Sequence, residues 1–141
     1  MSQISLALAN QIIVAALKAA REKNFQQLTV VVLDAGGHMV ALQREDNSGI
    51  LRVEIATGKA YGALGFGISS RNIGANNTDR PAFMAAVSSA ADGKMIPVAG
   101  GVLIKNDDDN IIGAVGVSGD NSDNDEIAAI AGIEAAGLTA A

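Results

Sequence analysis

The chain has 141 residues, of which 49% are hydrophobic and only 3% aromatic, so its core must be built from Ala, Val, Ile and Leu. The formal net charge of −5 argues against binding to nucleic acid and to anionic membranes, because both need clustered Lys and Arg. With no cysteine, the chain has neither a disulfide nor a thiolate metal site. Its N-terminal apolar runs are too short for a signal core or a membrane span, so we expect a cytoplasmic location.

The first third of the chain predicts a helix followed by a β-hairpin. Apolar residues recur every three or four positions from Ile4 to Ala19, and Ser2 or Ser5 can cap the start of this helix. A run of apolar, mostly β-branched residues over 28–33 indicates a strand that is covered on both faces. Its partner strand, over 39–43, returns through a turn that contains two glycines.

A second helix is predicted from about residue 50 to residue 66, with Asn47 or Ser48 as its cap. Glycines inside it are unusual, since each costs roughly 1 kcal/mol relative to alanine. Gly58 and Gly62 are four residues apart and share a face. That face predicts either close packing of the helix on the sheet or a close contact with another subunit.

The second half of the chain predicts a linker, a helix, a further hairpin and a final helix. Pro81 suits the first turn of a helix, where its missing N–H does no harm. Ser122 is a candidate cap for the last helix. The predicted elements are a polar, mobile linker over 69–78, a helix over about 81–91, a short strand over 95–98, a hairpin over 102–104 and 111–117, and a helix over 123–136.

Helix, hairpin, two helices, hairpin and helix follow one another along the chain. Because the strands come in adjacent pairs, this order predicts a mostly antiparallel sheet with helices on both faces. We therefore expect an α/β sandwich, formed as a single domain over residues 1–141.

His38 is the only histidine, and it follows the two glycines of the first turn. It is expected to be exposed, as a solvated turn residue or as an axial ligand to a metal in a cofactor, for which imidazole is well suited. Tyr61 and the methionines are substitute ligands.

Other polar residues provide weaker candidates. Arg44, Asp46 and Lys59 are candidates for an acid–base group acting on a small metabolite, or for a surface ion-pair cluster. The acidic stretch from Asp120 to Glu126 only partly matches a calcium loop, and helix capping accounts for it better. No Ser–His–Asp or Cys–His set is evident, so the residues do not favour an enzyme.

Several short stretches, in order over nearly the whole chain, match the pattern of a known family. They are 32–40 in the first hairpin, Arg44-Glu45-Asp46, Ile55-Ala56, Lys59-Ala60, 97–101, 113–119, and Asp125-Glu126 with Ala128. Together they resemble the GlcG/HbpS-like family, which includes haem-binding proteins and the C-terminal domain of PduO-type corrinoid adenosyltransferases.

The resemblance implies a profilin-like α/β/α sandwich that assembles as a homo-oligomer. It also implies a module that binds a small-molecule ligand, with haem as the first candidate and a corrinoid, in an accessory role, as the second. His38 is the expected metal ligand. The full set of expected ligand-site residues is His38, Arg44, Lys59, Gly100, Gly101, Ser118 and Gly119. The alternatives are a cofactor-free accessory subunit that acts through protein contacts, and the small-metabolite enzyme described above.

Overall fold

A computed structural model describes residues 2–141, and five helices and five strands lie in this range. The helices are α1 (Leu6–Glu22), α2 (Arg52–Phe66), α3 (Ser70–Asn76), α4 (Pro81–Ala90) and α5 (Ser122–Ala135). The strands are β1 (Thr29–Asp34), β2 (Met39–Arg44), β3 (Gly101–Lys105), β4 (Ile111–Ser118) and β5 (Thr139–Ala140).

The five strands form one sheet in the order β2-β1-β4-β3-β5, and every neighbouring pair is antiparallel. The two hairpins lie side by side because β1 pairs with β4, from Thr29 opposite Ser118 to Asp34 opposite Gly113. The structure thus confirms the predicted α/β sandwich with a mostly antiparallel sheet.

Helices cover both faces of the sheet, which is why β1 is apolar on both sides. Helices α1 and α5 pack on one face, against residues such as Val30 and Ile104. Helix α2 packs on the other face, against Val31 and Leu33. It lies close to the sheet because the strand beneath Ala56 carries Gly116, where a Cβ would collide with the Ala56 carbonyl group.

The glycine face of α2 is covered by the chain's own segment 95–99, which is neither the sheet nor another subunit. A Cβ at Gly58 would collide with Ile96, and a Cβ at Gly62 would lie 3.2 Å from Met95 Cγ. The Ile96 N–H also donates to the Gly58 carbonyl oxygen at 3.2 Å. The predicted strand over 95–98 is therefore wrong, because this segment hydrogen-bonds to a helix instead of joining the sheet.

The prediction of a polar linker over 69–78 is also wrong, because most of it forms α3. The Ser69 hydroxyl caps this helix by accepting the Asn72 N–H at 3.3 Å. Ile73 is the one buried apolar side chain in this helix of seven residues. A single buried apolar residue among seven is too weak a pattern to distinguish a short helix from a loop.

The predicted helix cap is confirmed at α1, absent at α2 and shifted by one residue at α5. Ser5 caps α1 as predicted. Helix α2 begins without a side-chain cap, and the Ser48 hydroxyl is instead buried 2.9 Å from the hydroxyl of Thr29. At α5 the cap is Asn121 rather than Ser122, and it accepts the Asn124 N–H at 2.8 Å.

Helix α4 is the least covered helix of the described chain. None of its ten residues is buried, although the segment is largely apolar, and Phe83 is 40% exposed. Within residues 2–141, neither this helix nor any other is long and apolar enough to cross a membrane.

Candidate functional site

The turn between β1 and β2 is organised by the carboxylate of Asp34. Its Oδ1 accepts the backbone N–H groups of Gly36 at 2.9 Å and His38 at 3.0 Å. The hydrogen bond from the His38 N–H is the main reason why the pKa of Asp34 is lowered, and partial burial opposes this shift. Asp34 is therefore a carboxylate at neutral pH.

The imidazole of His38 is held by this same carboxylate. Its Nδ1 lies 3.1 Å from Asp34 Oδ1, and its side chain is 81% exposed, as the turn position predicts. Because a carboxylate only accepts hydrogen bonds, Nδ1 carries the proton in this contact, and in the neutral imidazole Nε2 then presents a lone pair. A carboxylate bonded to the second ring nitrogen is the usual companion of a metal-ligating histidine.

Next to this turn lies an open apolar groove made of two adjoining cavities that share Tyr61 and Gly65, the larger of which is flanked by helices α2 and α4. Its larger part has a volume of about 300 Å³, and a smaller part of about 160 Å³ borders the turn. We call the two parts together the α2–α4 groove. The larger part is lined by Tyr61, Gly62, Gly65, Phe66, Val87, Ala90, Ala91, Lys94 and Met95, and the smaller by Ala35, Gly36, Gly37, Tyr61, Leu64 and Gly65.

Tyr61 links the turn to the groove. Gly37 has a φ of +84°, and a Cβ there would lie 2.8 Å from the Tyr61 ring, so only glycine suits this position. The Lys94 ammonium also lies 4.8 Å from the centre of this ring. Gly65 has open space around it, since a Cβ there would meet nothing within 4 Å.

A second polar cluster is buried beneath α2. Lys59 Nζ donates to Asp125 Oδ2 at 3.1 Å and to the Val117 carbonyl at 3.0 Å, and the two ionic side chains are 2% and 1% exposed. Burial lowers the pKa of Lys59 and raises that of Asp125, while their mutual attraction opposes both shifts. Asp125 Oδ1 also accepts the Asp120 N–H at 2.9 Å, so this pair links α2 to the start of α5.

Most of the expected ligand-site residues lie around this ion pair and have partners within the chain. Gly100 lies against Lys59 Nζ, Gly101 donates its N–H to the Ser70 hydroxyl at 2.7 Å, the Ser118 hydroxyl accepts from Arg52 at 3.0 Å, and Gly119 lies against the Gln27 carbonyl. Ligand binding by these residues and by Lys59 stays a prediction.

The structure does not assemble the acid–base group. Arg44 donates to the Ser48 carbonyl at 2.9 Å and borders an open cavity together with Asp46. Lys59 is buried and bonded to Asp125, and it has no hydrogen bond or ion pair with either of the other two. In the described range, residues 2–141, no three His, Asp or Glu side chains are placed to hold a metal ion.

Comparison with known proteins identifies the family. A family model named HbpS-like, described as "Haem degrading protein HbpS-like", matches residues 4–134. The chain belongs to the HbpS-like family. This membership confirms the resemblance that the sequence motifs indicated, and no curated protein matches this HbpS-like chain.

Solved structures share the fold of this HbpS-like chain over almost its whole length. Klebsiella pneumoniae protein ORFY is 26% identical, with a TM-score of 0.86 over 97% of this chain and 92% of its own. A PduOC:heme complex is 22% identical, with a TM-score of 0.85 over 97% of both chains. A double mutant of Streptomyces reticuli HbpS is 23% identical, with a TM-score of 0.80 over 95% of this chain and 87% of its own.

Sequence reasoning missed three side chains that shape these sites in the HbpS-like chain. Asp34 had a readable signal, an acidic residue four positions before a histidine across a Gly-Gly turn. Asp125 was assigned to helix capping, and nothing local indicated that it pairs with Lys59, 66 residues away. Lys94 lies in a turn after α4, and only the tertiary structure brings it over Tyr61.

Proposed function

We propose that this chain is a haem-binding module in which His38 ligates the iron through Nε2. The observation that carries the proposal is the Asp34 carboxylate on His38 Nδ1, which leaves Nε2 free and exposed next to the α2–α4 groove. Family membership and the haem complex of a protein with the same fold support the same ligand.

The residues present fit such a cofactor. Haem is a flat apolar ring that carries two carboxylates, and the groove is lined mostly by apolar side chains with one cation at its rim. A volume of about 300 Å³ is at the low end for a small-molecule site, so haem would be seated in an open groove rather than enclosed. A bound haem would supply one-electron chemistry at its iron, and the protein ligand would tune that chemistry.

A hemin titration tests this proposal, and Gly65 offers a matched pair of variants. We expect a saturable Soret shift with the unmodified chain. Gly65→Leu should weaken binding about tenfold or more, because Gly65 lines the groove and a larger side chain there begins from a Cβ that meets nothing within 4 Å. Gly65→Ala should bind nearly as the unmodified chain does and raise stability by roughly 1 kcal/mol, since alanine is the better helix former.

Absence of any Soret shift with the unmodified chain would contradict haem binding and favour a cofactor-free accessory subunit. Equal hemin affinity in all three proteins would instead place the ligand outside the α2–α4 groove.

We also propose that the chain assembles as a homo-oligomer and functions in the cytoplasm. The exposed apolar face of α4 supports assembly, because apolar surface of this kind is usually covered by a partner. Light scattering at micromolar concentration should give a mass above the 14.2 kDa of one chain. Phe83→Glu should lower that mass, whereas Ser89→Glu, on the same helix at an exposed polar position, should not. A monomer mass for the unmodified chain would overturn the proposal.

A further inference from the structure

Lys94 is the one charged residue among the described residues that line the α2–α4 groove. It lies in the turn after α4, where Asp92 and Gly93 both have positive φ and the Lys94 N–H donates to the Ala91 carbonyl at 3.0 Å. This compact turn directs the backbone at Lys94 back towards α2.

The ammonium of Lys94 is placed by Tyr61 rather than by a carboxylate. It lies 4.8 Å from the centre of the Tyr61 ring, a distance at which a cation is attracted to an aromatic face. Among residues 2–141, no Asp or Glu lies within ion-pair distance of it. Its charge therefore remains available to an anion that enters the groove.

We propose that Lys94 binds the carboxylate of the groove's ligand and so selects haem over a corrinoid. This inference rests on the proposed function, because it concerns the same groove. Tyr61 lies against both Gly37 of the His38 turn and Lys94, and it lines both parts of the groove, so one ligand can meet both an imidazole and a cation. Haem carries two ionised propionates on the edge of its ring, whereas the amide side chains on the edge of a cobalamin ring are neutral and its one phosphodiester lies in the nucleotide loop, away from that edge. A lone cation therefore favours the first ligand.

The test compares a substitution at each of two lysines and measures the binding of three ligands to each variant. Lys94→Gln removes the charge at the groove, and Lys23→Gln removes an exposed charge at the end of α1, away from the groove. The probes are hemin, hemin dimethyl ester, which has the same ring and iron but no carboxylate, and hydroxocobalamin. Affinities come from absorbance titrations, and thermal unfolding reports whether each variant folds.

Lys94→Gln should weaken hemin binding about twofold to fivefold, the range expected for one partly exposed ion pair, and leave binding of the dimethyl ester unchanged. Lys23→Gln should change neither. Hydroxocobalamin should bind the unmodified chain more weakly than hemin does.

Two results would overturn the role of Lys94 while leaving haem binding intact: unchanged hemin affinity in Lys94→Gln, or equal weakening of hemin and its ester. Tight binding of hydroxocobalamin would overturn the selectivity. Failure of the unmodified chain to bind either hemin or its ester would overturn the proposed function and the role of Lys94 together.

Discussion

Replacing His38 with alanine should abolish the spectrum of ligated haem while leaving the fold intact. His38 is the only imidazole in the chain, and its Nε2 is free because Nδ1 is held by Asp34. The side chain is 81% exposed, so its removal takes almost nothing from the core. A hemin titration followed in the Soret band measures the loss of ligation, and thermal unfolding checks that the variant remains folded.

Asp34→Asn is the matched variant for this experiment. The amide oxygen can still accept the turn's N–H groups, but the negative charge that holds the imidazole is lost. We expect this variant to keep the ligated spectrum and to bind hemin roughly tenfold more weakly, the lower end of the usual effect of such a positioning carboxylate. A full ligated spectrum in His38→Ala would contradict the assignment and direct attention to Tyr61 or Met95, which line the groove.

Replacing Lys59 with methionine should destabilise the chain by about 3–5 kcal/mol, because it leaves the carboxylate of Asp125 buried without its cation.

This loss of stability in Lys59→Met should depend on pH. Burial already raises the pKa of Asp125 in the folded chain. A carboxyl group whose pKa is raised by folding contributes its full stabilisation at pH values below its pKa in the unfolded chain. It loses this stabilisation as the pH rises through its pKa in the folded chain. Urea unfolding should therefore show that Lys59→Met lowers the free energy of unfolding more at pH 7 than near pH 4.

Two further variants of the chain serve as controls for this test. Arg71→Met removes an exposed cation that pairs with Asp123 and Glu126, and it should cost far less stability than Lys59→Met does. Adding Asp125→Leu to Lys59→Met should recover much of the lost stability, since no unpaired charge then stays buried. A loss below about 1 kcal/mol for Lys59→Met alone would show that the pair does not stabilise the fold.

Local pattern was sufficient to predict most of the regular structure. Helix α1 was predictable because its apolar residues repeat at the helical period and Ser5 precedes them. The fully buried β1 was predictable because its residues are apolar on both faces. Adjacent strand pairs implied an antiparallel sheet, and the glycine turn implied an exposed His38. Each of these features depends on neighbours only a few residues apart.

Only the tertiary structure decided the contacts between distant segments. The glycines of α2 indicated a close approach but not that Met95 and Ile96 would make it. From the sequence, Lys59 would be placed on the surface and Lys94 in an ordinary loop. The tertiary structure brings Asp125 next to Lys59 and Tyr61 next to Lys94. Such pairings depend on how the helices pack against the sheet and each other. The sequence alone therefore determined the layers of the sandwich and the exposed histidine, whereas packing created the buried ion pair and the groove.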